Sequence, residues 1–293
     1  MLPNQKLTVA ARALSPLRYP GGKAKLGPWL GELIKHNNLI GGTYVEPYAG
    51  GAGAAIYLLL NGLVSKIVIN DADKAIYAMW HSILNDTEEF LKKLKNAKID
   101  MSNWYLQKDI INNSEQHSLL ELGFAAFFLN RTNMSGVIKG GVIGGKEQTG
   151  NYKMDARFKK DKLEKIILKI SSYRENITVH NLDAEHFIDH IMPALPDNTL
   201  VYFDPPYYVK GSQLYRNYYK HEDHAKIATK IKNTNHAWLV TYDNCAQIKG
   251  IYNDCNSEMF CLRYSASQKV KELATELLFY GNVKLHSIPK LVT

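Results

Sequence analysis

Residues 200–208 read LVYFDPPYY: four largely apolar residues, an aspartate, two prolines and two tyrosines. The opening residues have the β-rich character of a buried strand, and the strand stops on a carboxylate. Proline fixes φ and holds the residue before it in extended geometry. Asp204 and Pro205 therefore leave the strand in a fixed conformation and present Tyr207 at a set angle. A plain turn needs no acid, two prolines and an aromatic together. Four other runs also end on polar or acidic residues: YVEPYA at 44–49, KIVIND at 66–71, ITVHNLD at 177–183 and AWLVTYD at 237–243. Helical patterns over 52–61, 74–84, 184–191 and 222–232 fall between several of them. Strands alternating with helices predict an α/β protein, its parallel sheet covered by helices on both faces. Two late runs, 259–264 and 277–282, have no long helix between them and predict an antiparallel pair at one edge.

Residues 87–172 break this rhythm. They carry lysine-rich helical segments, EEFLKKLKNAK and RFKKDKLEKIILKI, around a glycine-rich loop at 135–150. A loop of that length inside a domain points to function or mobility. The expected organisation is a main domain of 1–86 and 173–293, with 87–172 as an inserted subdomain. The 293 residues are 45% hydrophobic, enough for a packed core. No apolar run approaches the ~20 residues of a membrane span, and the first residues lack an apolar signal core. The three cysteines, Cys245, Cys255 and Cys261, form no CxxC pair. Free thiols, no metal site and a cytoplasmic location in a bacterial or phage-encoded setting are the expectation. The net charge of +8 favours a polyanionic partner, nucleic acid foremost. A basic protein with no such partner is the alternative.

Ligands of an open parallel sheet bind beyond the carboxyl ends of the strands, where the strand order reverses. In EPYAGGAGA, residues 46–54, Gly50, Gly51 and Gly53 permit a tight turn and close approach to the backbone. The pattern is not GxGxxG, and a simple strand-to-helix turn is the competing explanation. Asp71, ending its strand, suits the hydroxyls of a ribose. It also suits a helix cap, a role open to Asp73 as well. Asp183 offers the same choice between ligand and cap. Asp204 has a sharper reading. An exocyclic amine such as adenine N6 is a poor nucleophile because its lone pair is delocalised into the ring. Two acceptors aimed at its hydrogens, Asp204 and the Pro205 carbonyl, localise that pair, and the prolines hold them ready. Tyr207 can stack on the base.

The blocks YPGGK (19–23), EPYAGGAGA, NDAD (70–73), an insertion and DPPY (204–207), in that order, resemble the Dam-type, alpha-class DNA adenine N6-methyltransferases from about residue 17 to residue 282. The resemblance implies S-adenosylmethionine as cofactor. It also implies a Rossmann-like methyltransferase fold: a mostly parallel sheet, one antiparallel edge strand and an inserted, mainly helical target-recognition subdomain. By position, Tyr19 and Lys23 would close over the cofactor, and Glu46, Tyr48 and Gly50 would line its methionine part. Asp71 would hold the ribose and Asp183 would face the adenine. Asp204, Pro205, Pro206 and Tyr207 would hold the target base, with Asp204 also near the cofactor. Tyr218 falls near cofactor or base, and Glu276 matches the last strand. FFLNRTNMSGV, residues 127–137, resembles the segment that enters DNA, with Asn130, Arg131, Asn133 and Ser135 as its contacts; a polar helix end is the other reading. The loop after it departs from the GATC-reading prototype and looks closer to phage and restriction-associated members. The expected partners are double-stranded DNA and a cognate restriction or defence protein.

Several rivals keep parts of this picture. Cytosine N4, RNA adenine or a protein glutamine is chemically a similar target, and a silent DNA-binding relative would share the fold. GxxxxGK at 140–146 has Glu147 where a P-loop requires Ser or Thr. His221 and His224 share a helix face without an evident third ligand, and Cys245 lacks a histidine partner.

Overall fold

The computed structural model describes residues 14–18, 23–209, 219–263 and 273–289. Its seven strands are β1 (Thr43–Glu46), β2 (Lys66–Asn70), β3 (Ile177–His180), β4 (Thr199–Phe203), β5 (Ala237–Asp243), β6 (Asn256–Arg263) and β7 (Leu273–Gly281). They form one sheet in the order β3-β2-β1-β4-β5-β7-β6. The first five are parallel, and β7 runs antiparallel to both β5 and β6. This is the mostly parallel, Rossmann-like sheet that the resemblance implied. The antiparallel strand lies at the expected side, inserted between β5 and the outermost β6. The expected strands at 44–49 and 177–183 stop earlier, at Glu46 and His180, because Pro47 has no N–H for a ladder and the segment after His180 turns into a helix.

Alternation along the strands assigns the two faces. Tyr44, Ile67, Ile69, Leu200 and Tyr202 enter one hydrophobic cluster, with α1 (Gly27–His36), α2 (Gly53–Leu60) and α3 (Lys74–Asn85). Val45, Val68, Val201 and Phe203 enter the other, under α8 (Ala184–His190), α9 (His221–Lys232) and α10 (Ala246–Ile251). With both faces covered, β1 and β4 are buried throughout, so neither shows the alternation of a strand with one wet face. The chain passes from β1 outward to β2 and β3, then returns to β4 on the other side of β1. The crevice of this reversal lies at the carboxyl ends of β1 and β4, where Glu46 and Asp204 stand.

The 87–172 stretch is mainly helical, with α4 (Thr87–Asn96), α5 (Met101–Asn112), α6 (Leu119–Thr132) and α7 (Lys160–Ser171). A capping box starts α6: Ser118 Oγ accepts from the Glu121 N–H at 3.2 Å, and Glu121 Oε2 accepts from the Ser118 N–H at 3.0 Å. Phe90, Trp104, Phe127 and Ile167 of the insertion share a cluster with Leu30 and Ile56. The insertion and the sheet thus have a continuous core. The GxxxxGK run lies in turns, no helix starts at its GK end, and Lys146 is exposed. No helix among the described residues is long and apolar enough to cross a membrane.

Helix α6 lies against α3 at Gly123, where an added Cβ would sit 2.4 Å from the Ala78 carbonyl oxygen. Backbone on backbone cannot relax cheaply. Gly123→Ala is expected to destabilise the protein by about 1–3 kcal/mol. Gly250→Ala, in α10 with nothing within 4 Å, is expected to be neutral or slightly stabilising. Urea unfolding of the two variants side by side checks both.

Candidate active site

The end of β1 is organised by two carboxylates and an amide. Glu46 accepts from the Ala55 N–H at 3.1 Å, in the first turn of α2, where the helix end favours an anion. Burial is the larger influence and pushes its carboxyl up to about 8. Buried Asn70 donates to the carbonyls of Pro47 and Leu182 at 3.0 and 2.9 Å and accepts from the Leu182 N–H at 2.9 Å. One side chain thereby joins the ends of β1, β2 and β3. Between β1 and α2 the backbone reverses through left-handed conformations at Gly50 (φ 46°) and Ala52 (φ 44°). The Trp80 indole donates to the Gly50 carbonyl at 2.9 Å and fixes the turn from below.

Asp71 holds the same turn from β2, accepting from the Gly50 and Asp73 N–H groups, each at 2.9 Å. Burial, and next the charge of Asp73, push its carboxyl up to about 7. Asp73 caps α3 through the Ala75 N–H at 2.9 Å, so Asp71 is left to the glycine turn. Asp183 does cap its helix, accepting from Glu185 N–H at 2.9 Å, and is exposed. Its strand adjoins β2, where Asn181 donates to the Asp71 carbonyl at 2.7 Å. Tyr48 meets Tyr219, their hydroxyls 3.1 Å apart. Tyr19 and Tyr218 lie outside the described residues.

At the end of β4, Asp204 is tied into a buried ionic cluster. Its Oδ1 accepts from the Lys23 ammonium at 3.1 Å and from the Thr241 hydroxyl at 3.0 Å. Lys23, 7% exposed, also lies 3.3 Å from both oxygens of Glu276 and from the Tyr207 hydroxyl. Tyr207 donates to Glu276 Oε1 at 2.7 Å. Burial raises the Asp204 carboxyl above its ordinary range; Lys23 pulls it down and Glu276 up. Pro205 is buried and Pro206 half-buried. Beyond them, Asp243 accepts from the Tyr208 and Val209 N–H groups at 2.8 and 3.0 Å, fixing the chain after the prolines. Lys23, expected to close over the cofactor, thus stands with Asp204, Glu276 and Tyr207. Thr241, Asp243 and the ionic role of Glu276 were not read from sequence. The signals available were an acid at the end of AWLVTYD and one among the apolar residues of LATELLFYG.

The DNA-contact residues expected from 127–137 divide. Asn130 is buried and fully used: it accepts from the Arg18 N–H and donates to the Arg18 and Gly136 carbonyls, each at 2.8 Å. Asn133, also buried, accepts from the Trp104 indole at 2.7 Å and donates to the Val137 and Ile138 carbonyls at 3.0 and 2.9 Å. In this structure the two amides, expected to bond DNA phosphates or bases, serve as internal braces. Their polar atoms pair the carbonyls of Arg18, Gly136, Val137 and Ile138, which lie in the two loops that meet at the end of α6. Ser135 is exposed at a left-handed position (φ 55°), next to exposed Met134. Arg131 is partly buried at the helix end. His224 is buried and faces the Tyr242 hydroxyl at 2.9 Å. No His, Cys, Asp and Glu group among the described residues is arranged to hold a metal ion, and the three cysteines are free.

Residues 19–268 match the model of the D12 class N6 adenine-specific DNA methyltransferases. Type II methyltransferase M.MjaIII of Methanocaldococcus jannaschii is 24% identical over 208 residues, 65% of this chain and 68% of its own. Type II methyltransferase M1.LlaDCHI of Lactococcus lactis subsp. cremoris is 24% identical over 200 residues, 65% of this chain and 64% of its own. Among solved structures, the rRNA methyltransferase aviRa from Streptomyces viridochromogenes aligns over 94% of this chain and 91% of its own, at 12% identity and a TM-score of 0.42. A likeness that distant leaves the fold to be read from the sheet order itself.

Glu46 at about 8 and Asp71 at about 7 titrate above ordinary carboxylates. The native protein keeps protons there that the unfolded chain has released above about pH 4. More protons on the native state means that stability falls as pH rises through this window. The cofactor-free protein is therefore expected to lose stability between about pH 5 and about pH 8, with Glu46→Gln flattening the dependence. Urea midpoints across that range, for both proteins, measure the slope.

Proposed function

This chain belongs to the D12 class N6 adenine-specific DNA methyltransferases, and we propose that it methylates N6 of an adenine flipped out of duplex DNA at a specific site. The observation that carries the reading is the Asp204, Lys23, Glu276 and Tyr207 cluster, set at the switch point beside the carboxylates of the glycine turn.

The methyltransferase family implies S-adenosylmethionine, and the residues fit it. Glu46 and Asp71 are carboxylates raised by burial around a glycine turn, and among the described residues neither makes an ion pair. That set of acceptors suits a ligand carrying an ammonium and a ribose diol. Tyr19, Lys23, Tyr48, Gly50 and Asp183 complete the proposed cofactor contacts. When bound, S-adenosylmethionine supplies an electrophilic methyl group on a sulfonium, open to direct attack by an amine.

The protein's part is to make that amine nucleophilic. The two bonds to Asp204 fall on Oδ1, which leaves Oδ2 for one N6 hydrogen; the Pro205 carbonyl takes the other. Tyr207 keeps its ring beside the base while its hydroxyl is anchored to Glu276. With both carboxylates ionised, the cluster around Lys23 carries one net negative charge. Charge of that sign stabilises the cation that develops at N6. The raised carboxyl of Asp204 makes it the better acceptor for the proton that N6 then sheds. Basic residues of the insertion bind duplex phosphates, so affinity falls with salt. Type II relatives make a cognate restriction enzyme the proposed biological partner.

Expressed in a bacterial host without DNA methylation, the chain is expected to leave N6-methyladenine in one short sequence context, detected by single-molecule sequencing. Asp204→Ala is expected to lower transfer by on the order of 10³-fold while cofactor binding persists. Methylcytosine in place of methyladenine would sink the assignment of the base. Glu276→Gln removes the net negative charge and is expected to lower kcat about ten- to a hundredfold with little change in cofactor affinity; single-turnover kinetics reads this directly.

A further inference from the structure

Three arginines far apart in sequence lie near enough at the end of α6 for their charges to be felt by one another. Arg18 is held there by backbone and side chain: its N–H and carbonyl both bond Asn130 at 2.8 Å, and its Nη1 donates to the Asn133 carbonyl at 3.2 Å. Its carbonyl lies so near Gly136 that an added Cβ there would sit 2.0 Å from it. Arg131 belongs to the last turn of α6, and its Nε is buried without a partner. Arg157 directly precedes Phe158, whose ring packs on Phe127 and Phe128 at centroid distances of 5.6 and 5.3 Å. Arg131 is one turn further along that helix. Burial, and then the nearby Arg18 and Arg157, push the Arg131 guanidinium down to about 10. Arg18 is lowered by burial and by Arg157.

Among the described residues, no carboxylate forms an ion pair with any of the three. The negative end of the α6 dipole and the Asn133 carbonyl favour a single cation in the last turn, which leaves two unaccounted for. Like charges gathered beside a buried, unsatisfied N–H raise the free energy of the empty site, and an oxyanion would lower it. Guanidinium forks match phosphate oxygens in geometry as well as in charge.

We propose that Arg18, Arg131 and Arg157 form a clamp for one phosphodiester of the DNA backbone. The proposal rests on the DNA methyltransferase reading and adds two residues, Arg18 and Arg157, that the sequence motifs do not single out. It also ties DNA to the reaction centre, because Lys23, five residues after Arg18, reaches Asp204. Seating a phosphate on Arg18 therefore bears on the segment that carries the active-site ammonium.

Arg157 is exposed, so its replacement leaves the core intact. Binding of a short fluorescent duplex is measured by anisotropy over a range of salt concentrations. Arg157→Gln is expected to reduce the steepness of log K against log salt by about one unit, with Arg157→Lys retaining it. Lys92→Gln, at an exposed position of α4, is expected to leave the slope near wild type. On a duplex with neutral methylphosphonate linkages, wild type and Arg157→Gln are expected to bind alike. An unchanged slope in Arg157→Gln overturns the clamp while leaving methylation intact. A slope lost equally in Lys92→Gln reduces it to diffuse attraction. Binding of inorganic phosphate without any effect of Arg157→Gln on duplex assigns the cluster to a free anion. A wild type that binds no duplex overturns the functional reading and the clamp together.

Discussion

The arrangement depends on one buried ammonium. Lys23 stands between Asp204 at the end of β4 and Glu276 in β7 and also reaches the Tyr207 hydroxyl. Four parts of the chain thus meet at one point: the N-terminal segment, the central strand, the proline turn and the antiparallel strand. A buried ion pair adds little net stability over an apolar packing, but removing one partner strands the other charge at a cost of about 3–5 kcal/mol. Such a cluster fixes geometry more than it contributes stability. The same logic explains why the end of the sheet contains β7. Asp243 of β5 lies opposite Glu276 of β7 in the register, so the strand bracing the residues after the prolines also positions the second carboxylate.

The neighbouring crevice obeys a different rule. Among the described residues, Glu46 and Asp71 have hydrogen-bond donors but no cation, and burial raises both. A ligand with its own donors and positive charge would lower both carboxyls again. Left-handed Gly50 turns its N–H onto Asp71, and Asn70 locks the strand ends on which both acids stand. The two sites therefore divide the work. In one, Glu46 and Asp71 have donors but no cation among the described residues; in the other, Asp204 and Glu276 share the Lys23 ammonium.

Much of this was legible in the sequence because the determinants are local. The strand ends at Glu46, Asp71 and Asp204 announce themselves by an acid after an apolar run, and the two prolines set the conformation of the turn beyond Asp204. The helices at 74–84 and 222–232 were found to within a residue or two for the same reason. The features that were not legible depend on contacts across the sheet. Thr241 and Glu276 matter through their distance to Asp204, which no local pattern encodes. Asn130 and Asn133 show the opposite failure. Polar residues at a helix end have the same composition whether they face DNA or brace the loops packed against that end. Only the approach of Arg18 and Trp104 decides between the two. Asp183 caps α8 in the structure, and its role toward the cofactor belongs to the proposed function.

The electrostatics of the whole chain reflects this division. The formal charge is +8, yet the reaction centre gathers carboxylates. A protein that acts on a polyanion needs positive charge where the backbone lies, and a target amine that becomes cationic needs negative charge where it reacts. Close together, the two requirements would cancel. Inserting the basic helices after β2, on one side of the sheet, separates them while the shared core keeps them in register. Arg18 and Lys23 bring the two systems close along the chain, and there the charges are held apart by structure: Arg18 on the end of α6, Lys23 between Asp204 and Glu276.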